Sequence, residues 1–413
     1  MISFKEFSVG LLNEEKRVHT HSTHIEDLLF VDGKSGLERT LKAFDDIKNS
    51  FGTTDISDNR ILSTKIDGSP AVIAGWLGNN FFVASKGLFN KTPKINFTDD
   101  DVERNHGASQ GLAKKLKVAL KYFKSIIPKW KIFQGDFLYD VSDRKSEVID
   151  GNDCWTWHPN TIKYAIEKDS PLGKRIGASK VGVVFHTEYS SDGEDVSSIS
   201  LKGFNVTTDD LNPSNDVWAT DAFQKSIGSI PHLTETEEKE YNRLIRKVRT
   251  LSSKVPWTYC RDFKVELMAF INTYIANGRQ YPSSLVMAND YEEYLLTKKQ
   301  KEKDSKKTEN GKLAVDEKYK DVLQMPSNLD AVFEIYKILT DIKLNIFVKK
   351  VNDIKSTKTF LVKKDGTMVA TNDEGYVLTK TDANGCKLVD RLEFARANFS
   401  SLFAKGWEHK NEV

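Results

Sequence analysis

The stretch Thr64-Lys65-Ile66-Asp67-Gly68-Ser69-Pro70 sets a lysine two residues ahead of an Asp-Gly pair. On a short strand running into a tight turn, that lysine presents its amine at the mouth of a sheet. An amine attacks an electrophile only when neutral, so its pKa must fall from ~10.4 towards neutrality. Burial and neighbouring positive charge, a bound metal ion included, both act in that direction. Gly68 lets the backbone turn closely around a ligand, and Asp67 offers a carboxylate to a ribose hydroxyl. Taken alone, Lys-x-Asp-Gly is a short pattern that a surface hairpin turn also satisfies.

Further groups follow in order. Ser85-Lys86-Gly87 closes the hairpin that begins at Lys65 and brings a second cation beside the first. Phe133-Gln134-Gly135-Asp136 ends a predicted strand with a carboxylate, and Val183-Val184-Phe185-His186 ends another with a ring and an imidazole. Glu374-Gly375-Tyr376-Val377-Leu378 supplies a carboxylate ahead of a strand, and Lys387 follows in Cys386-Lys387-Leu388-Val389-Asp390.

In order and character this set resembles the collinear motifs of the covalent nucleotidyltransferases: ATP- or NAD-dependent DNA ligases, RNA ligases and mRNA capping enzymes. Lys65 to Gly68 is similar to motif I, Ser85 to Gly87 to motif Ia, and Phe133 to Asp136 to motif III. Phe185 is similar to motif IIIa, Glu374-Gly375 to motif IV and Lys387 to motif V. More closely, the chain resembles a family of tailed-bacteriophage proteins described as RNA-ligase-like. That likeness rests on residues 23–26 (Thr-His-Ile-Glu), 159–162 (Pro-Asn-Thr-Ile), 184–187 (Val-Phe-His-Thr) and 387–394 (Lys-Leu-Val-Asp-Arg-Leu-Glu-Phe).

The resemblance implies an α+β fold. Its core would be a nucleotidyltransferase domain, the ATP-grasp-like adenylation unit of ligases, with antiparallel sheets around a nucleotide cleft. It also implies an ATP-dependent polynucleotide ligase acting on RNA or DNA ends or nicks through a lysyl–AMP intermediate. Lys65 would attack the α-phosphate, with Thr64, Ile66 and Gly68 against the nucleotide. Asp67 and Asp136 would hold the ribose, and Phe185 would stack on the adenine. Glu374, with Asp136, would carry Mg²⁺ (or Mn²⁺) through oxygen or water. Lys86 and Lys387 would neutralise phosphate charge during transfer. Asp136 stands where motif III usually has glutamate, and Ser63-Thr64 stand where a glutamate often precedes the nucleophile. Ser69-Pro70 is closer to RNA-ligase patterns than to the arginine of DNA ligases. Only 26 residues follow Lys387, too few for a C-terminal OB domain, which also favours RNA over DNA.

Rival readings attach to other residues. His19-x-His21 is similar to the spacing of metal-dependent phosphoesterases, and His19-x-His21-x-x-His24 to that of the metallo-β-lactamase fold, which wants aspartate where Thr23 stands; the bland reading makes these histidines core or phosphate-contacting groups, with His24 and Glu26 lining the nucleotide pocket. The lysines between Lys298 and Lys307 suit a nucleic-acid tether, but the interspersed Glu302 and Asp304 favour a solvated loop. Trp155 and Trp157 could stack bases or be buried. A nucleotidyltransferase fold that has lost catalysis and only binds is a further class, opposed by the joint presence of Lys65, Asp67, Glu374 and Lys387.

The elements that must position these groups are readable in outline. A helix is expected over 36–49, where Leu37, Leu41 and Phe44 recur at helical spacing. A hairpin pairs 71–74 with 81–84, and an amphipathic helix over 110–127 stops at Pro128. Strands are expected at 130–133 and 181–185. Polar helices follow over 235–251, 261–276 and 329–343, with a lysine-rich loop at 297–312, and strand alternation returns at 359–362, 367–370 and 376–378. The simplest organisation is a core over 1–208, a helical insertion over 209–354 and completion of the core over 355–413. With 413 residues, 39% hydrophobic and 29% charged, the composition is that of a globular protein large enough for more than one core. The 61 basic and 59 acidic residues nearly cancel, so a nucleic acid must meet a local basic surface. Cys154, Cys260 and Cys386 have neither disulfide nor zinc spacing. With no signal peptide and no run of ~20 apolar residues, the expected place is the cytoplasm, of a host cell if phage-encoded, with no membrane partner.

Overall fold

The computed structural model describes residues 23–52, 62–64, 66, 68–193, 195–203, 206–221, 230–352, 358–371, 375–378, 381–399 and 402–404. Among the described residues the fold is α+β, with three sheets and a helical layer.

The central sheet grows from a hairpin. β2 (Ala71–Leu77) and β3 (Asn80–Ala84) pair antiparallel from Ile73↔Ala84 to Leu77↔Asn80. Gly78 takes φ +56° in the two-residue turn between them, a conformation that glycine adopts without steric cost. β4 (Ile132–Asp140) adds beside β2, and β8 (Val181–Ser190) beside β4. β9 (Ser200–Gly203) and the parallel β10 (Val217–Asp221) both pair with β8.

One face of this sheet is covered by α1 (Gln110–Phe123), whose Ala113, Leu116, Ala119 and Phe123 meet Val72, Ala74, Phe133, Phe137, Val183 and Phe185. The other face carries two smaller apolar clusters. One is built on Leu138, Tyr139, Trp157 and Val184, the other on Ile73, Phe82, Ala84, Ile132 and Tyr189. A second sheet runs in the order β12 (Met368–Ala370), β11 (Lys358–Val362), β7 (Ile162–Glu167), β6 (Asn152–Trp157), β5 (Lys145–Ile149). It joins strands from both ends of the sequence through Leu361↔Ile162 and its neighbours.

The third sheet is small: β1 (Leu62–Thr64), β13 (Tyr376–Leu378) and β14 (Lys387–Leu388). Its Tyr376, Leu378 and Leu388 are buried in the largest apolar core. That core is otherwise helical. It draws Leu37, Leu41, Phe44 and Ile47 from α2 (Gly33–Ser50), and Tyr241, Leu244 and Val248 from α3 (Glu235–Ser252). Phe333, Tyr336 and Leu339 come from α4 (Asp330–Asp341). Thr234 starts α3 with a capping box: its hydroxyl accepts from Glu237 N at 3.3 Å, and Glu237 accepts from Thr234 N at 2.7 Å. The helices of the middle of the chain therefore share one core with an N-terminal helix and with the third sheet.

The structure revises three expectations. Residues 297–312 are not a loop: α5 (Ser284–Asp304) and α6 (Glu309–Lys320) form a helical hairpin. Lys299 and Lys303 both pair with Asp316, at 2.9 and 2.7 Å, and Lys318 pairs with Glu302 at 2.7 Å, so opposite charges staple the two helices. β4 reaches Asp140, so Asp136 lies within the strand and not at its end. The central sheet also extends past residue 208, because β10 pairs with β8.

Candidate functional site

The small third sheet brings together stretches that are far apart in sequence. Thr64, the last residue of β1, is in register with Tyr376, and Tyr376 with Leu388; Ser63 pairs with Val377, and Val377 with Lys387. Antiparallel partners share a face. Tyr376 and Leu388 point into the helical core, so Val377 and Lys387 lie on the opposite, half-buried face. Lys387 N donates to Thr23 O at 2.8 Å, and His24 bridges to Lys387 in parallel. The strands that flank the segments similar to motifs I and IV are thus paired with each other and with the strand that carries Lys387, and the Thr-His-Ile-Glu segment lies against Lys387.

From β1 the chain crosses to the central sheet. Ile66 is half-buried against the cluster of Leu138, Trp157 and Val184. Gly68 lies directly on β4: a Cβ there would fall 2.5 Å from Asp136 Cβ, closer than side chains tolerate, and a tight 3.1 Å from Phe137 O. Ser69 N donates to Phe137 O at 2.9 Å, Phe137 N donates to Pro70 O at 3.0 Å, and Ala71 then pairs with Asp136. The motif-I link is therefore hydrogen-bonded onto the motif-III strand.

Asp136 is 27% exposed and points to the face not covered by α1, between the two smaller apolar clusters. His186 Nε2 is 3.8 Å from Asp136 Oδ2, and His186 Nδ1 lies 2.6 Å from Thr187 Oγ1, which fixes the ring. Tyr189 donates to Gln134 Oε1 at 2.8 Å on the same face; burial pushes its phenol up to about 12, so it stays a donor through the physiological range. Lys86 is exposed and opens a short 3₁₀ turn, Lys86–Phe89, whose start is capped by the Ser85 hydroxyl accepting from Gly87 N at 3.2 Å. That turn leaves β3 just past Ala84, at the edge of the sheet where Ala71 meets Asp136.

Phe185 does not join this face. It is fully buried on the helix-covered side, its ring 5.6 Å from Phe123 and 5.9 Å from Phe133, with no face left for a base. The expectation that it stacks on adenine is corrected: Val183 and Phe185 alternate into the α1 core, and Val184 alternates out. Lys65, Asp67 and Glu374 lie outside the described residues, as do His19 and His21. Among the described residues no group of three or more His, Cys, Asp or Glu is arranged to hold a metal. Glu26 does not face Asp136: its Oε1 accepts from Lys343 Nζ at 2.6 Å, and both side chains are fully buried.

That ion pair adjoins a polar cluster which the sequence alone did not suggest. Asp27 accepts from Arg391 at 3.0 Å and from Tyr336 OH at 2.8 Å, and Arg391 also donates to Asn272. Burial opposes the Arg391 charge, but the neighbouring Asp27 carboxylate outweighs it and holds the guanidinium protonated. The cluster ties residues 26–27 and 391 to the helices that carry Tyr336 and Lys343. Asp27 adjoins one motif and Arg391 lies within another, which was a usable signal; nothing about Lys343 was. Trp157 is buried beside Tyr139 and Tyr164, and the Trp155 ring is flanked by Arg144 at 4.9 Å and Lys168 at 4.7 Å.

No described helix is long and apolar enough to cross a membrane. No curated protein and no solved structure matches the chain. A family model described as "Family of unknown function (DUF6267)" matches residues 19–402, nearly the whole chain, and the chain belongs to that family.

Proposed function

We propose that this protein is a covalent nucleotidyltransferase of the polynucleotide-ligase kind, with ATP as donor and an RNA strand as the favoured substrate. One observation carries the reading. β1, which ends immediately before Lys65, is paired with β13, which follows Glu374, and β13 is paired with the Lys387 strand, while the link after Lys65 is bonded onto Asp136. An arrangement in which unrelated turns merely imitated the motifs would have no reason to gather them in this way.

In the first step the Lys65 amine attacks the α-phosphorus of ATP; a P–N bond forms, a P–O bond breaks and pyrophosphate leaves as the amine loses its proton. In the second, a terminal 5′-phosphate oxygen displaces the lysine, which takes a proton back, leaving AMP on the strand end. In the third, a 3′-hydroxyl attacks the activated phosphate and releases AMP. Lys387 and Lys86 would supply positive charge where negative charge builds on the transferred phosphate. Asp136 accepts hydrogen bonds from ribose hydroxyls, and His186 beside it supplies a polar contact on the same face. A half-exposed carboxylate that keeps room for water suits Mg²⁺; Asp136 and Glu374 would hold the ion, which when bound offsets phosphate charge.

The test is covalent labelling. Protein freed of prebound nucleotide is incubated with α-labelled ATP and Mg²⁺ beside Lys65→Ala, and resolved on denaturing gels. Label retained by the wild-type chain and lost from Lys65→Ala supports lysyl–AMP chemistry. Labelled chain then given 5′-phosphorylated RNA or nicked DNA releases label in parallel with sealing of its preferred strand. Absence of label with ATP, GTP and NAD from folded protein overturns the reading.

A further inference from the structure

A second surface, on the far side of the central sheet from Asp136, is built from aromatic rings and lysines. Its centre is the turn Pro128-Lys129-Trp130-Lys131, closed by Lys131 N donating to Pro128 O at 3.3 Å. The turn is held from the sheet side as well, because Trp76 N donates to Lys131 O at 3.1 Å. Trp130 sits at its third position with φ +69°, a left-handed conformation that glycine or asparagine adopts far more easily than a bulky ring. It is also 70% exposed, so the fold gains almost no burial from the ring in return.

The neighbours are cationic. Lys129 Nζ lies 3.7 Å and Lys124 Nζ 5.5 Å from the ring centre of Trp76, and Lys121 Nζ lies 5.1 Å from that of Tyr122. All three lysines are exposed, and none has a carboxylate within 4.0 Å among the described residues. Glu103 is engaged with Lys117, and Glu188 with both Lys131 and Lys202. No other large apolar residue between 110 and 140 is exposed, so the ring stands among charges and not within an apolar groove.

We infer that this corner binds single-stranded polynucleotide, with Trp130 as a stacking platform for one base and Lys121, Lys124 and Lys129 on the flanking phosphates. A polyanion matches the uncompensated charge. An exposed ring beside it suits an unpaired base, whose face is free to stack, better than a duplex whose base faces are covered. The surface is separate from the Asp136 face, so the inference does not rest on the reaction proposed above.

The test is direct binding of a fluorescein-labelled 12-nucleotide single strand, followed by anisotropy across a salt series and without ATP. Trp130→Gly is the main variant: glycine suits the turn, so its melting temperature should be no lower than that of the wild type. It should weaken binding about 5- to 150-fold, the range for removing one stacked base. An abasic strand of the same length should bind wild type and Trp130→Gly equally. Lys124→Gln with Lys129→Gln should reduce the slope of log K against log salt by about 1.4, two single-strand phosphate contacts. Equal binding by wild type and Trp130→Gly would overturn the inference. So would binding of vesicles containing phosphatidylserine, but not of the oligonucleotide, through the same residues.

Discussion

Replacing Gly68 with alanine tests whether the link over Asp136 is what the site is built on. The new methyl would lie 2.5 Å from Asp136 Cβ and 3.1 Å from Phe137 O. Carbon atoms in contact sit ~3.5–4.0 Å apart, so the link must lift by more than ~1 Å. Neither obstacle is the end of a flexible side chain, and the lift strains the bonds Ser69 N to Phe137 O and Phe137 N to Pro70 O. Loss of both costs about 1–3 kcal/mol. A displacement of ~1 Å at a reacting group also costs about 100-fold in rate. Gly68→Ala should therefore melt a few degrees lower and form lysyl–AMP about 100-fold more slowly per folded molecule. Gly111→Ala is the matched control, since its methyl meets nothing within 4 Å in a helix, and it should stabilise slightly. The assays are thermal denaturation by circular dichroism and the initial rate of α-labelled AMP incorporation. Wild-type melting and labelling in Gly68→Ala would refute the close approach. Lower melting with unchanged labelling would make the link structural only. If the wild type itself never labels, the geometry stands and the reaction falls.

Three further outcomes follow from the packing. Lys343→Met leaves the fully buried Glu26 carboxylate without its cation and should cost about 3–5 kcal/mol in urea denaturation, while the double variant Glu26→Leu/Lys343→Met recovers most of it; a single-variant loss below ~1 kcal/mol counts against the pair. Burial opposes ionisation of Asp140, but the Lys115 ammonium at 2.8 Å and the Ser142 hydroxyl overcome it and hold the carboxyl below its unfolded value. Its contribution is therefore complete above ~pH 4 and is lost as pH falls below that value, so urea midpoints between pH 5 and pH 3 should fall less steeply in Asp140→Asn. Phe185→Leu should cost about 1–2 kcal/mol through lost packing and leave the ATP concentration for half-maximal labelling unchanged; a rise of about tenfold, matching a lost stacking contact, would restore the base-stacking role.

Much of the frame could be read from residue patterns because it rests on local rules. The 71–84 hairpin announces itself by a Gly-Asn turn between apolar runs, and the helix over 110–123 by its apolar stripe. The lysine-rich segment misled for an equally physical reason. Composition counts charges but not their partners, and Lys299, Lys303 and Lys318 find Asp316 and Glu302 only once two helices fold against each other. The buried pair of Glu26 and Lys343 is further out of reach, since it joins residues from the two ends of the chain. Spacing within a motif reports on a turn or a strand. It does not report on what packs beneath.

The misplacement of Phe185 shows where strand alternation stops being a guide. Along β8, Val181, Val183 and Phe185 point into the α1 core. Continued strictly, that parity would send Thr187 and Tyr189 the same way. Instead the register jumps: Phe185 is opposite Gly135, but Thr187 is opposite Gln134, so the bulge falls at His186. One extra residue reverses every side chain beyond it, so Tyr189 joins Ile73 and Ile132 on the open face and meets Gln134 there. Gly135 makes the bulge possible, since a Cβ at that position would fall 2.1 Å from Val184 O. The same bulge carries the His186 ring to within 3.8 Å of Asp136. A motif that reads as a ring to stack a base is thus a buried ring followed by a bulged imidazole on the open face.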